Sequence, residues 1–143
     1  MFIGEYKHSL DEKGRVAIPV KFRPNFRGGI VVSRGLDHCL FVFEKKEWEV
    51  FAGKIKALPI SQSNPRAFSR LMLGGAMELG LDAQGRVLLP DYLRDYAGLS
   101  KQAVIVGLYD RLEMWDEERW KEYKARTEAS GDDIAEKLGE LGI

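Results

Sequence analysis

The sequence contains one cysteine, two histidines, no excess of either charge and no long apolar run, and each scarcity excludes a class of protein. Cys39 alone can form no internal disulfide. An unpaired thiol is kept most easily in a reducing compartment, so a cytoplasmic protein is expected rather than a disulfide-stapled secreted one. His8 and His38 have no second ligand at zinc spacing and stand in no nucleophile motif, so no metal, no cofactor and no catalytic residue is expected. His8 instead reads as a hydrogen-bonded core or interface histidine, and Cys39 as a buried small hydrophobe. The longest apolar stretch, residues 103–109, is far short of the roughly 18 to 20 residues that a membrane helix needs. The start Met1-Phe2-Ile3-Gly4-Glu5 lacks the basic and apolar regions of an export signal, which points away from export and from any membrane partner. Gly74-Gly75 lacks the lysine-bearing pattern of a phosphate loop, and no small-molecule substrate is evident.

The balance of 22 Lys+Arg against 22 Asp+Glu creates no global attraction to nucleic acid. Any such partner must be met by a local concentration of charge. The zero is itself a cancellation. Residues 1–109 hold 16 basic side chains against 11 acidic, whereas residues 110–143 hold 6 against 11. The body of the chain is therefore basic and its end acidic. With 143 residues, 45% of them hydrophobic, the chain can bury a self-sufficient core.

The most informative feature is an internal repeat. Leu10-Asp11-Glu12-Lys13-Gly14-Arg15-Val16-Ala17-Ile18-Pro19 recurs as Leu81-Asp82-Ala83-Gln84-Gly85-Arg86-Val87-Leu88-Leu89-Pro90, with an offset of 71 residues. The likeness continues through Phe22-Arg23 and Leu93-Arg94, two apolar strand-like runs in each copy, and Trp48 with Trp120. In each copy a strand of alternating polarity leads to a turn opened by Asp (Asp11, Asp82) and closed by Gly (Gly14, Gly85), which suits a hairpin with a left-handed glycine. A return strand follows, stopped by Pro19 or Pro90. Next come a short helix, shorter in the first copy because of Pro24, two further strands, and a helix carrying the tryptophan. Asp116 is placed to cap the second of these tryptophan helices, and Asn64-Pro65 to open a helix between the copies. Trp48 and Trp120 read as core or protomer-interface anchors. The expected organisation is a first repeat over 1–57, a helical linker over 58–73, a second repeat over 74–127 and an acidic helical tail over 128–143. Four short strands cannot close a core alone, so the two copies are expected to pair into one pseudo-two-fold β-barrel.

The Asp-x-x-x-Arg pair has two readings. An Asp and an Arg facing each other across a hairpin mouth stabilise the turn slightly. Comparing the copies, however, Lys7 becomes Glu78 and Lys13 becomes Gln84, whereas Arg15/Arg86 and Arg23/Arg94 keep their charge. Arginine is suited to bidentate recognition of guanine edges or phosphates, with the aspartate holding the guanidinium in register. The arginines therefore read as a binding constellation.

The opening Met-Phe-x-Gly, the two Asp-x-x-x-Arg motifs and the two tryptophan helices resemble the MraZ family of bacterial transcriptional regulators, encoded at the head of the division and cell-wall cluster. The resemblance spans residues 1 to about 126. It implies an α+β fold of two tandem AbrB-like swapped-hairpin units, a ring-shaped homo-oligomer, and nucleoid-associated repression through direct repeats in the protein's own promoter. The double-stranded DNA contacts it implies fall on Arg15 and Arg86, oriented by Asp11 and Asp82. Lys13, Lys7 and Arg23 are the expected supporting cations, and Gly14 and Gly85 the turn residues. The substitutions Gln84 and Glu78 predict weaker phosphate contact by the second copy. A reading from a different class is a protein-interaction or antitoxin-like module that uses the same barrel with its arginines as partner anchors. A small hydrolase finds no nucleophile, base and orienter among the motifs.

Overall fold

Successive side chains along each strand point to opposite sides, which builds two separate cores, one on each face of a single large sheet. The computed structural model describes residues 1–142. Ile143, the last residue of the acidic tail expected over 128–143, lies outside the described residues. The order of elements is β1 (Phe2–Ser9), β2 (Arg15–Ala17), a 3-10 helix (Val20–Phe26), β3 (Ile30–Arg34), β4 (Leu40–Glu44), α1 (Lys45–Lys56) and α2 (Ser63–Met72) in the first part of the chain. It continues with β5 (Met77–Leu79), β6 (Arg86–Leu88), α3 (Asp91–Ala97), β7 (Gln102–Tyr109), β8 (Leu112–Asp116), α4 (Glu117–Ala129), α5 (Gly131–Lys137) and a closing 3-10 turn (Gly139–Leu141). The class is α+β.

Six strands form one antiparallel sheet in the order β1-β7-β8-β4-β3-β5, and β2 and β6 form a separate two-stranded ribbon. Every join between the repeats exchanges equivalent strands. The first strand of each copy pairs with the third of the other (β1 with β7, β5 with β3), the fourth strands pair together (β4 with β8), and so do the second strands (β2 with β6). Read from either end the order is therefore the same under exchange of copies, as a pseudo-two-fold requires.

The sheet does not close into the expected barrel. β1 and β5 remain at its two edges. Pro19 and Pro90 follow closely on return strands of only three residues, and those strands are joined to the edges by single bridges, Leu10 to Val16 and Leu81 to Val87. Without a continuous ladder the ribbon lies over the sheet as a lid. Beneath it, Val16, Ile18, Val87 and Leu89 pack with Ile30, Val32, Leu40, Val42, Ile105 and Met114. The opposite face carries Phe41, Phe43, Val104, Val106 and Trp115 under α1, α2 and α4. Strands β3 and β4 are thus apolar on both faces, which explains their unbroken hydrophobic runs.

Two local expectations are corrected. The 3-10 helix over Val20–Phe26 is as long as α3, seven residues each, not shorter. Pro24 has no N–H to bond the Val20 carbonyl one α-turn back, so the segment winds more tightly instead of ending early. Asn64 is not the cap of α2. The helix begins at Ser63, the Gln62 carbonyl accepts from Arg66 N at 3.3 Å, and Pro65 sits within the first turn, where its missing N–H costs nothing. Asp116 does cap α4, accepting from Arg119 N at 3.3 Å, and Gly98 ends α3 at φ 63°.

Candidate nucleic-acid interface

The two Asp-x-x-x-Arg turns have the same internal wiring. Asp11 Oδ1 accepts from the backbone N–H of Lys13 at 3.0 Å and of Arg15 at 2.9 Å, while Arg15 Nε donates to Asp11 Oδ2 at 2.6 Å. In the second copy, Asp82 Oδ1 accepts from Gln84 N and Arg86 N, and Oδ2 from Arg86 Nε, each at 2.9 Å. One carboxylate thus folds the turn with one oxygen and aims the guanidinium with the other. The backbone N–H of Arg15 and of Arg86 is the leading cause holding the Asp11 and Asp82 carboxyls below their ordinary range, and the paired guanidinium adds to it. Both aspartates are charged throughout the neutral range.

The turn glycines serve two purposes. Gly14 at φ 85° and Gly85 at φ 75° take the left-handed conformation that closes the turn. Each is also covered by an arginine of the other copy. A Cβ at Gly14 would lie 2.5 Å from Arg94 Nε, and one at Gly85 would press still closer on Arg23 Nε. Those same nitrogens donate to the ends of the return strands, Arg23 to the Ile18 carbonyl at 2.8 Å and Arg94 to the Leu89 carbonyl at 3.2 Å. The backbone completes the lock, with Ile18 N donating to the Gly85 carbonyl at 2.9 Å and Leu89 N to that of Gly14 at 3.1 Å. Arg23 therefore belongs to the hairpin assembly, but its Nε is committed to the fold.

Because β2 pairs with β6, the two motifs come together. The register sets Arg15 opposite Leu88, Val16 opposite Val87 and Ala17 opposite Arg86. The two valines are fully buried, so Arg15 and Arg86 project from the other side of the ribbon, with side chains 31% and 29% exposed. Arg86 Nη1 lies 3.7 Å from Asp11, linking the two motifs. The terminal nitrogens of Arg15 have no hydrogen-bond partner among the described residues. Lys13 and its counterpart Gln84 stand exposed at the turn tips. The result is a narrow ribbon with two oriented guanidinium forks at its centre and a lysine at one end, shaped to enter a groove and donate to acceptor edges or phosphates.

Lys7 is not brought to this ribbon. On β1 the ring of Tyr6 packs on the ribbon side, 5.3 Å from that of Phe22, while Glu5 and Lys7 face α4. Lys7 pairs with Glu117 at 2.7 Å. In the other half, Glu78 pairs with Lys45 at 3.0 Å. This is the same strand-to-helix contact with both charges reversed. The change from Lys7 to Glu78 is therefore compensated within the fold. The Lys7 ammonium is the leading cause lowering the Glu117 carboxyl, and Glu78 likewise raises Lys45.

The remaining candidates are structural. Cys39 is fully buried, its Sγ donates to the Leu36 carbonyl at 3.1 Å, and burial pushes its thiol up, away from reactivity. His8 is half-buried beside Tyr6 and Leu10, where burial, and then the nearby Arg23 charge, hold its imidazole below its ordinary range. The hydrogen bond expected for it is not found among the described residues. Trp48 and Trp120 pack on the helix-side core, against Phe43 at 5.5 Å and Trp115 at 5.2 Å between ring centroids. Trp120 Nε1 also donates to Glu5 at 2.9 Å. No cluster of metal-ligating side chains and no helix long and apolar enough to cross a membrane is present among the described residues.

The sequence matches the family described as "MraZ protein, putative antitoxin-like" twice, over residues 1–71 and 72–140. It is 49% identical over 143 residues to a protein of Natranaerobius thermophilus named "Transcriptional regulator MraZ", with all of both chains covered. Proteins of the same name from Carboxydothermus hydrogenoformans and Syntrophomonas wolfei are 52% identical over 138 residues, 96% of each chain, and 45% identical over 143 residues, all of each chain. With both repeats matched and relatives alike from end to end, the chain belongs to the MraZ family.

Proposed function

We propose that the protein is a non-enzymatic, sequence-specific DNA-binding regulator of transcription, acting in the cytoplasm at the nucleoid. The observation that carries this reading is the ribbon. Two guanidinium groups, each aimed by its own aspartate, project side by side from two antiparallel strands, a combination suited to guanine O6 and N7 in the major groove. The names of the relatives support the same reading. In this account the AbrB-like repeats present Arg15 and Arg86 to base edges. Lys13 neutralises phosphate, Asp11 and Asp82 orient, and Gly14 and Gly85 permit the turns, with Arg23 as a locking cation. One ribbon offers few contacts, so a ring-shaped homo-oligomer on direct repeats of its own promoter supplies affinity by multivalency. The regulated genes are the division and cell-wall cluster, and the effect is repression.

A gel shift on the DNA immediately upstream of the protein's own coding sequence tests this. A retarded band with the native chain and none with Arg15→Ala/Arg86→Ala is expected. Equal retardation of the two proteins, or no retardation together with a stoichiometric protein partner on purification, overturns the proposal.

A further inference from the structure

The exposed side of the ribbon is not wholly polar. Alternation buries Val16 and Val87, so residues 15, 17, 86 and 88 share the outward side. In the register, Leu88 is the direct cross-strand partner of Arg15, and Ala17 that of Arg86. Each arginine thus has an apolar cross-strand partner whose Cβ stands about 5 Å from its own. Leu88 is 54% exposed. The core beneath is already sealed by Val16, Ile18, Val87 and Leu89, each at most 1% exposed, so nothing in the packing calls for a leucine here.

A donor fork beside a small apolar contact matches one chemistry in the major groove. Guanine presents two acceptors to the fork, and thymine's C5-methyl is the apolar group displayed on a base edge in that groove. Stacked base pairs are about 3.4 Å apart, so side chains rooted about 5 Å apart on the ribbon can reach edges one or two steps from each other. We propose that Leu88 is a specificity-determining residue that packs against the C5-methyl of a thymine near the guanine held by Arg15. This rests on the DNA-binding reading above. Ala17 holds the equivalent position toward Arg86 with a much shorter side chain. The preference for thymine is therefore unequal between the two halves of a bound site and is strongest on the side that Leu88 covers.

The test uses two duplexes of identical sequence, the upstream DNA made with thymidine or with deoxyuridine triphosphate. Uracil keeps the pairing edge and lacks only the methyl. Burying one methyl-sized group is worth about fourfold in affinity. The native protein is expected to bind the uracil duplex about fourfold more weakly for each thymine contacted. Leu88→Ala should bind the thymine duplex more weakly than the native chain and show little or no further loss with uracil. Because Leu88 is exposed, its variant should keep the native urea midpoint, which separates lost contact from lost fold. Equal binding of both duplexes by the native protein, or an undiminished uracil penalty in Leu88→Ala, overturns the inference while leaving the DNA-binding reading intact. Failure of the native protein to bind either duplex overturns both.

Discussion

Replacing Gly85 by alanine tests whether the two repeats are locked together through their turns. Gly85 is left-handed at φ 75°, and an L-residue with a Cβ pays about 1 to 2 kcal/mol for that conformation. The new methyl would also collide with Arg23 Nε, which donates to the Ile18 carbonyl at 2.8 Å. Displacing that charged donor forfeits a further contribution of about 1.5 to 3 kcal/mol. The expected destabilisation is therefore about 2.5 to 5 kcal/mol, at the upper end for a single substitution. The two parts separate in a double-mutant cycle. With Arg23→Ala in place the collision is gone, so Gly85→Ala should then cost only the conformational part, a coupling of about 1.5 to 3 kcal/mol. Gly80, with no positive φ and open space around it, is the control and should tolerate alanine. Urea unfolding followed by tryptophan fluorescence, at one fixed protein concentration, measures all four variants. Additive costs for Gly85→Ala and Arg23→Ala, or equal costs at Gly85 and Gly80, would refute the lock.

Other outcomes follow from the same contacts. Lys7→Glu should lower the urea midpoint by setting two carboxylates together, and Lys7→Glu with Glu117→Lys should restore it, because the reversed pair already exists as Glu78 with Lys45; a double variant no better than the single contradicts this. Asp11 and Asp82 have folded-state values below those of the unfolded chain, so their stabilisation is complete above the ordinary carboxylate range and is lost as pH falls from that range through their lowered folded-state values. Asp11→Asn/Asp82→Asn should flatten the acid limb of a stability-against-pH curve, and an unchanged limb would refute that assignment. Cys39 should resist alkylation in the native chain and react only on unfolding, since it is buried and its thiol pushed up; rapid labelling without denaturant contradicts its placement.

The repeat made most of this fold legible. An offset of 71 residues pairs the turns, the glycines and the strand-ending prolines in the sequence itself, and the strands lie at the alternating segments and apolar runs. The joining of strands was harder to read. A repeat says that two units associate but not how far their strands run, and with β2 and β6 only three residues long and joined to the edges by single bridges the sheet stays open. The geometry of the candidate site is legible where one residue does two local jobs, as at Asp11, which folds the turn and aims Arg15. Lys7 lies away from the ribbon, which the sequence does not reveal, because alternation puts it on one face without saying which face carries the ribbon. A signal was available: residues 7 and 78 reverse charge, and so do 45 and 117, a double reversal typical of contacting partners. Leu88 carries no signal of its own in the sequence, because only the burial of Val87 settles which side of its strand faces out.

The central claim, that the paired arginines read base edges while the lysine at the turn tip meets phosphate, is tested most directly by anisotropy titrations across a salt series. Native chain, Arg15→Ala and Lys13→Ala are each measured on the upstream DNA and on a shuffled duplex of equal composition. Arg15→Ala should lose about 1 to 3 kcal/mol on the specific duplex and little on the shuffled one, whereas Lys13→Ala should weaken both alike and reduce the salt slope by about one. Unchanged specific binding by Arg15→Ala, or an equal loss on both duplexes, would contradict the account.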